Sequence, residues 1–226
     1  NPAPFAGYLK LGQTAILSAS PERFLRVQGR KVETWPIKGT VGRGATAGED
    51  QARRRWLLAS AKNRAELAMI VDLMRNDLGR VCRPGSIHVQ GFPRLESFAS
   101  VHHLVATVTG ELDDGRSVVE LMRASFPGGS ITGAPKIRAM EIIEELEPVR
   151  RGIFTGAIGY LGFNGASDLN IAIRSMLVQQ GRAYIQVGGG IVADSVPEEE
   201  YEECLLKGRL LFDALEDQGA PANERQ

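Results

Sequence analysis

Strand-like segments joined by tight turns recur along this sequence, and they restrict the fold to one built on antiparallel sheet. Residues 24–27 and 31–35 flank the turn Gln28-Gly29-Arg30, a pattern typical of a β-hairpin. A second hairpin is predicted from residues 169–178 and 183–192, and further strands are predicted at 8–18, 88–92, 101–112 and 153–163. Hairpins, rather than regular βαβ repeats, therefore connect most of the strands.

Helical segments lie between these strands. The longest, residues 50–78, contains no Gly or Pro and is predicted to end at Gly79. Shorter helices are predicted at 118–124, at 135–146 beginning with Pro135, and at 197–215. This mixture predicts an α+β fold, a layered α/β sandwich with antiparallel sheets and outer helices. We expect one domain, residues 1–215, and a flexible polar tail, residues 216–226.

The charge balance argues against large anionic partners. The 226 residues include 27 Lys and Arg against 27 Asp and Glu, so no net field attracts nucleic acid or an anionic membrane surface. Hydrophobic residues make up 43% of the chain, which is enough for a sizeable core. A small molecule is therefore the expected ligand.

The sequence does not support a zinc site, a disulfide framework or a membrane span. Cys82 and Cys204 are the two cysteines and form no CxxC motif, and the histidines have no HExxH spacing. Charges interrupt the apolar runs well short of a membrane span, and the N-terminus has no signal-peptide pattern. We therefore expect a cytoplasmic protein.

Lys38 is a candidate reactive amine. It lies between Pro36, which restricts the preceding backbone, and Gly39, which permits close approach of a ligand, so we expect it on a loop. The alternative is a solvent-exposed lysine, the commonest kind.

Carboxylates on two predicted helices could bind a cation. Glu66 lies mid-helix, and Glu200 and Glu203 share a face of the last helix. If the helices meet, Glu66 and Glu203 would offer oxygen ligands to Mg²⁺. Alternatively, Glu66 pairs with Lys62, and the acids at the start of the last helix only complement its dipole.

Two glycine-rich segments and an arginine indicate anion binding. Arg174 is predicted on a strand, facing away from the aliphatic stripe, where a guanidinium can bind a carboxylate with two hydrogen bonds; the alternative is a sheet-surface arginine. Exposed amides of Gly188, Gly189 and Gly190 could hold an anion, as could the loop that precedes Pro135. Neither segment is a Walker sequence. Together these features predict a dianionic or dicarboxylate ligand.

Five ordered motifs give nearly the whole chain, from Asn1 to about Leu215, a resemblance to the C-terminal half of the chorismate-utilising enzymes. The motifs are Ser20-Pro21-Glu22-Arg23-Phe24, Pro36-Ile37-Lys38-Gly39-Thr40, Asp72-Leu73-Met74-Arg75-Asn76-Asp77, Gly128-Gly129-Ser130-Ile131-Thr132-Gly133-Ala134-Pro135-Lys136, and Gly188-Gly189-Gly190-Ile191-Val192-Ala193-Asp194-Ser195. The resemblance implies chorismate, which has two carboxylates, as the substrate.

Lys38 separates the branches of this family. Anthranilate and salicylate synthases usually carry alanine here and aminodeoxychorismate synthases carry lysine, so the chain resembles component I of the latter branch. The resemblance implies that Lys38 attacks C2 of chorismate while Glu22 protonates the departing C4 hydroxyl. Ammonia from a glutamine amidotransferase then adds at C4 and gives 4-amino-4-deoxychorismate, the precursor of p-aminobenzoate in folate synthesis. The alternatives are an anthranilate synthase component I and a non-catalytic fragment that binds chorismate or a partner.

The resemblance also implies a ligand set for the two substrate carboxylates. Mg²⁺ on Glu66 and Glu203, with Glu200 near them, would fix one carboxylate. Arg174 and the amides of residues 188–190 would bind the other.

Further residues are implied around the reacting ring. Gly39, Thr40 and Thr132 would contact the substrate, and His103 matches a histidine near the ring unless it merely lies on a strand surface. Lys207 matches a pocket lysine or forms a simple ion pair with Glu203.

Two departures from the family pattern stand out. Phe154 occupies the position of a substrate-contacting tyrosine. The family fold also includes an N-terminal half with an active-site lysine that would precede Asn1. We therefore expect a fragment that is weakly active or inactive by itself.

Overall fold

The computed structural model describes residues 3–98 and 101–216. Within these residues every strand pairing is antiparallel, which confirms the predicted α+β class with antiparallel sheets. The described residues form two compact units, the first comprising 3–21, 151–156 and 172–216 and the second comprising the remainder. The predicted tail falls outside the described residues from position 217 onward.

The first unit contains a four-stranded sheet and one helix, with elements numbered in chain order. Its strands are β1 (Phe5–Leu11), β2 (Thr14–Ser20), β10 (Ser175–Gln179) and β11 (Arg182–Ile185), in the spatial order β1-β2-β10-β11. Helix α5 (Pro197–Glu216) follows them along the chain. The helix agrees with the prediction to within one residue.

The second unit contains a seven-stranded sheet and four helices. Its strands are β3 (Arg23–Gln28), β4 (Lys31–Trp35), β5 (Ile37–Gly42), β6 (His88–Ser97), β7 (Val101–Glu111), β8 (Ala157–Leu161) and β9 (Ser167–Ile171). The order is β5-β7-β4-β3-β9-β8, and β6 also pairs with β7. The helices are α1 (Ala47–Ala59), α2 (Ala61–Gly79), α3 (Val118–Ser125) and α4 (Lys136–Leu146).

The core of the second unit includes helix α2 and strand β7. Leu67 and Leu78 of α2 and Leu104 and Val108 of β7 are almost completely buried. Burial of each such side chain contributes about 1.5–3 kcal/mol. This packing holds β7 in place. Strand β5, which carries Lys38, pairs with β7.

The prediction of a single long helix over residues 50–78 is wrong, because the helical conformation is interrupted at Ser60. Ser60 has φ = −63° and ψ = 109°, ends α1 and caps α2. Its Oγ accepts hydrogen bonds from the backbone N–H and from the side-chain Nδ2 of Asn63, at 3.3 and 2.9 Å. A serine that caps one helix thus interrupts a pattern without Gly or Pro.

Ser60→Ala is expected to lower the free energy of unfolding by about 1 kcal/mol, because the first turn of α2 loses its cap. Chemical denaturation measures the change. Ser60→Asp, which retains an acceptor oxygen, should keep most of the stability, and an alanine variant as stable as the starting chain would contradict this role for Ser60.

The strand predicted over residues 169–178 is also wrong, since it is two strands in different sheets. β9 ends at Ile171 and β10 begins at Ser175, and Arg174 between them has a left-handed φ of 51°. The predicted alternation of side chains through Arg174 therefore does not exist. An alternating pattern cannot by itself show that a chain passes from one sheet to another.

Other strand boundaries also differ from the predictions, and β6 continues to Ser97 although the strand was predicted over residues 88–92. Residues 8–18 form parts of a hairpin that turns at Gly12, where φ is 61°. The strand predicted over 183–192 ends at Ile185, and the one predicted over 153–163 is limited to 157–161. The hairpin predicted around Gly29 is confirmed.

The loop predicted at Lys38 is wrong as well. Lys38 is half-buried on β5 and pairs in register with Leu104 of β7. The register shifts between Lys38 and Thr40, where Gly39 adopts φ = 74°. A β-bulge, rather than a loop, thus supplies the local freedom that the glycine indicated.

None of the helices in residues 3–98 and 101–216 is both long enough and apolar enough to cross a membrane.

Candidate active site

Glu22 is a buried carboxyl immediately before β3. It is 6% exposed, and burial raises its pKa to about 7. Three neighbours oppose that rise: a hydrogen bond from the Ser130 side chain, the charge of Lys38, and a backbone hydrogen bond from Ile37. The structure thus brings Glu22 and Lys38 together. A carboxyl with a pKa near neutrality can act as a general acid there.

The bulge beside Lys38 packs closely on helix α2. A Cβ atom at Gly39 would lie 3.0 Å from the Asn63 side chain, so the strand approaches the helix through bare backbone. Gly39 therefore has a packing role between β5 and α2. Whether it also contacts a substrate stays a prediction.

Thr40 and His103 form a polar pair one register step further along. The Thr40 Oγ1 and the His103 Nδ1 are 2.8 Å apart, and His103 is only 5% exposed. The exposed strand-surface alternative for His103 is thus wrong. The ring also makes an edge contact with Phe98, with centroids 5.6 Å apart.

His102 belongs to a separate polar network on the opposite face of β7. Its Nδ1 lies 2.7 Å from Ser97 Oγ and its Nε2 lies 2.9 Å from Asp50 Oδ1. Asp50 also accepts a hydrogen bond from Arg43 Nε at 2.7 Å, and this contact is the main reason why the pKa of Asp50 lies below its ordinary value. The network joins α1 to β6, to β7 and to Arg43 directly after β5, and sequence reasoning missed it.

Thr132 has its hydroxyl engaged within its own loop. Its Oγ1 donates to the Gly128 carbonyl at 2.9 Å, just after the 3-10 turn Gly129–Ile131. The contact stabilises the loop. A substrate contact through Thr132 remains a prediction.

Lys136 anchors the end of this loop. Its Nζ lies 2.6 Å from Asp77 Oδ2 and 2.8 Å from the Ser125 carbonyl. Asp77 is 2% exposed, and burial raises its pKa while Lys136 opposes the rise. Sequence reasoning missed this pair, although an acid at a helical interval among apolar residues was the available signal.

In the first unit, Arg174 and Glu203 interact through their opposite charges. Burial lowers the pKa of Arg174, and the charge of Glu203 opposes this effect. The Arg174 carbonyl accepts a hydrogen bond from Ala19 N at 3.0 Å, which fixes the residue between β9 and β10. A half-buried guanidinium of this kind can bind an anion more strongly than a fully hydrated one.

Helix α5 carries three of the predicted site residues, and two of them, Glu200 and Lys207, contact the segment after β11. Glu203 pairs with Lys207 at 2.5 Å, and Lys207 also donates to the Gly188 carbonyl at 3.1 Å. Glu200 accepts from Ser195 Oγ at 2.6 Å. The simple ion pair of Lys207 with Glu203 is therefore present. Lys207 also forms a hydrogen bond to the glycine segment.

Gly188, Gly189 and Gly190 lie in a segment without regular structure, and all three are exposed. A Cβ at Gly189 would lie 3.0 Å from Glu200 Oε2, so this backbone closely approaches α5. An accessible glycine backbone suits an anion, as expected from the sequence.

The carboxylates proposed for Mg²⁺ are chemically suitable. Glu66 is half-buried on α2 and forms no ion pair with Lys62 in the described part of the chain, so that alternative is wrong. Glutamate oxygens are the hard ligands that Mg²⁺ prefers. Among the described residues, however, no group of three or more His, Cys, Asp or Glu side chains is placed to hold a metal ion.

The model of one family, described as chorismate binding enzyme, matches residues 1–213. This chain belongs to that family. The chain resembles aminodeoxychorismate synthase component 1 of Salmonella typhimurium, with 51% identity over 96% of the chain and 48% of the relative. It also resembles anthranilate synthase component 1 of Aquifex aeolicus, with 46% identity over 96% of the chain and 44% of the relative. The chain thus spans about half the length of the relatives it matches.

Solved structures support the same assignment. Anthranilate synthase component I from Streptococcus pneumoniae matches with a TM-score of 0.84 and 41% identity, over 92% of this chain and 46% of that one. The menaquinone-specific isochorismate synthase of Escherichia coli matches with a TM-score of 0.80 and 27% identity, over 88% and 46%. The chain therefore has the fold that its motifs predicted.

Proposed function

We propose that the chain is the catalytic part of an aminodeoxychorismate synthase component I, which converts chorismate and ammonia to 4-amino-4-deoxychorismate. The observation that carries the proposal is Lys38 beside the buried Glu22, whose pKa of about 7 suits proton donation. Similarity to synthases of this name supports it.

The proposed chemistry is two successive substitutions. The Lys38 amine forms a bond to C2 as the C4–O bond breaks, and Glu22 delivers the proton with which the hydroxyl leaves as water. Ammonia then forms a bond to C4 as the C2–N bond breaks, Lys38 is released as the neutral amine that began the reaction, and the ammonium formed at C4 returns a proton to the Glu22 carboxylate. The covalent intermediate on Lys38 replaces one difficult exchange of hydroxyl for amine by two easier substitutions.

The first-unit residues are proposed to bind substrate. Arg174 would form a bidentate contact with a carboxylate, and the amides of residues 188–190 would donate to it. Lys207, which bonds the Gly188 carbonyl, would hold that segment in place.

Mg²⁺ is proposed as the cofactor, with Glu66, Glu200 and Glu203 as its ligands. The cation would neutralise the charge of a substrate carboxylate when bound. The chemistry of the donor set supports the proposal.

The proposed ammonia donor is a separate glutamine amidotransferase subunit. The aminodeoxychorismate and anthranilate synthases that this chain resembles are named component 1, which supports the existence of a second component. Product formation from glutamine only when such a subunit is added would confirm the partnership.

Incubation with chorismate and Mg²⁺ in the absence of ammonia is expected to give a covalent adduct at Lys38. Intact-protein and peptide mass spectrometry would locate it. Lys38→Ala should lose the adduct, whereas Lys31→Ala, at an exposed lysine of β4, should keep it. An adduct that persists in Lys38→Ala would contradict the covalent route.

Two other functions remain to be tested by product analysis. Similarity to anthranilate synthases at 46–49% identity favours anthranilate formation as the second candidate. Anthranilate and pyruvate as the main products from chorismate and ammonium would establish it. Chorismate binding without turnover, while an intact relative is active under the same conditions, would favour a non-catalytic role.

A further inference from the structure

The loop between α3 and α4 lies directly against strands β3 and β9. Phe126 makes an edge contact with Phe24, with ring centroids 6.3 Å apart. A Cβ at Gly128 would lie 2.6 Å from Ile171 Cδ1, a distance that real Cβ atoms do not adopt. The absence of a side chain at Gly128 therefore allows the loop to pack beside the start of β3, which Glu22 immediately precedes.

The same loop is held on its other side by helix α2. A Cβ at Gly129 would lie 2.5 Å from Met74 Cε and 2.6 Å from Leu73 Cδ2. The Lys136 ammonium then ties the end of the loop to Asp77 at 2.6 Å. Ser130 follows the two glycines and is thus carried by a segment fixed on both sides.

Two elements of the second unit supply groups that act on the Glu22 carboxyl. Strand β5 supplies Lys38 and the Ile37 backbone, and the loop supplies the Ser130 hydroxyl. The Glu22 carbonyl also accepts from Ile171 N of β9 at 3.1 Å. Lys38 is the charged side chain that acts on Glu22 among these groups.

We infer that Ser130 is a positioning residue for the proposed reaction, whose hydroxyl donates to the Glu22 carboxyl and fixes it beside Lys38. The inference rests on the proposed function only in treating Glu22 as the acid. A hydroxyl held by a rigid loop limits the rotation of a buried carboxyl without losing conformational entropy during the reaction.

The hydrogen bond also sets the pH range in which Glu22 carries a proton. A donor stabilises the charged carboxylate, so it opposes the effect of burial. Loss of the hydroxyl is therefore expected to raise the pKa of Glu22 further. Because hydrogen bonds to charged groups contribute about 1.5–3 kcal/mol, the change should be about one pH unit or more.

The test is an NMR titration of the chain labelled with ¹³C at glutamate carboxyls, with the Glu22 signal assigned by its loss in Glu22→Gln. Ser130→Ala should titrate about one pH unit higher than the starting chain, and Ser130→Thr, which keeps the hydroxyl, should stay close to it. Ser125→Ala is the matched control, since Ser125 Oγ is buried without a hydrogen-bond partner among the described residues. An unchanged Glu22 titration in a folded Ser130→Ala would overturn the inference.

The pH dependence of turnover gives a second readout. With chorismate, Mg²⁺ and ammonium, kcat/KM should fall as pH rises through the Glu22 pKa, and Ser130→Ala should move this limb upward while lowering kcat. A limb that stays in place although the NMR titration moves would show that Glu22 is not the acid, which contradicts the proposed function but leaves the Ser130 contact established.

Discussion

Glu22→Gln is expected to lower kcat for aminodeoxychorismate formation by about 10²–10⁴-fold, the usual contribution of a positioned general acid. The amide keeps the size of the side chain and its hydrogen bonding but cannot deliver a proton to the leaving hydroxyl. Turnover with chorismate, Mg²⁺ and ammonium at pH 7 measures the loss. Glu33→Gln, at a half-buried glutamate of β4, is the matched control and should leave kcat within a few-fold.

The same substitution should stabilise the fold at alkaline pH. Because the folded-state pKa of about 7 exceeds the ordinary value of 4.5, folded Glu22 holds its proton where the unfolded carboxyl has lost it. Stability from this group is complete below about pH 4.5 and is lost as pH rises through about 7.

The glutamine side chain of the variant cannot ionise and so avoids that loss. Between pH 4 and pH 9 the variant should gain on the order of 3 kcal/mol relative to the starting chain, as 1.4 kcal/mol per pKa unit implies. Urea denaturation at the two pH values measures it. A stability difference that does not depend on pH would show that Glu22 ionises normally.

Lys136→Met is expected to lower the free energy of unfolding by about 3–5 kcal/mol, because it leaves the Asp77 carboxylate buried without its cation. Asp77 is 2% exposed and lies 2.6 Å from the Lys136 ammonium, so solvent cannot replace the lost partner. The Ser125 carbonyl loses a donor as well. Chemical denaturation at neutral pH measures the effect.

A double variant separates the ion pair from general packing. Asp77→Leu combined with Lys136→Met removes both charges and should recover most of the stability that either single change loses. Lys31→Met, at an exposed position of β4, should change stability by no more than about 0.5 kcal/mol. A Lys136→Met variant as stable as the starting chain would contradict an anchoring role for this pair.

The sequence was most informative about the secondary structure that short-range chemistry governs. The turn at Gly29 and the helices that begin after Pro135 and at Pro197 occur where glycine and proline indicated them. These residues act through local backbone preferences, so the neighbouring residues suffice to predict them. The motifs alone also suffice to identify the family.

The predictions failed where tertiary packing overrides a local pattern. Nothing in residues 169–178 marks the point at which the chain leaves one sheet for another, yet β9 and β10 belong to different sheets. Ser60 interrupts a helical pattern because its side chain caps α2. The residue types around Ser60 did not by themselves predict this interruption. The sheet pairing of Lys38 with Leu104 likewise joins residues that are distant in sequence.

The site shows the same division between local and long-range causes. The sequence by itself determined the family and the antiparallel α+β class, because these follow from motifs and from strand and helix patterns. Its resemblance to the family also singled out Glu22 and Lys38 as candidate site residues. Only the tertiary structure decided that Glu22 is buried, that Lys38 and Ser130 reach it from separate elements, and that its pKa lies near 7. A pKa depends on solvent access and on charges a few ångströms away, and these distances exist only after the chain has folded.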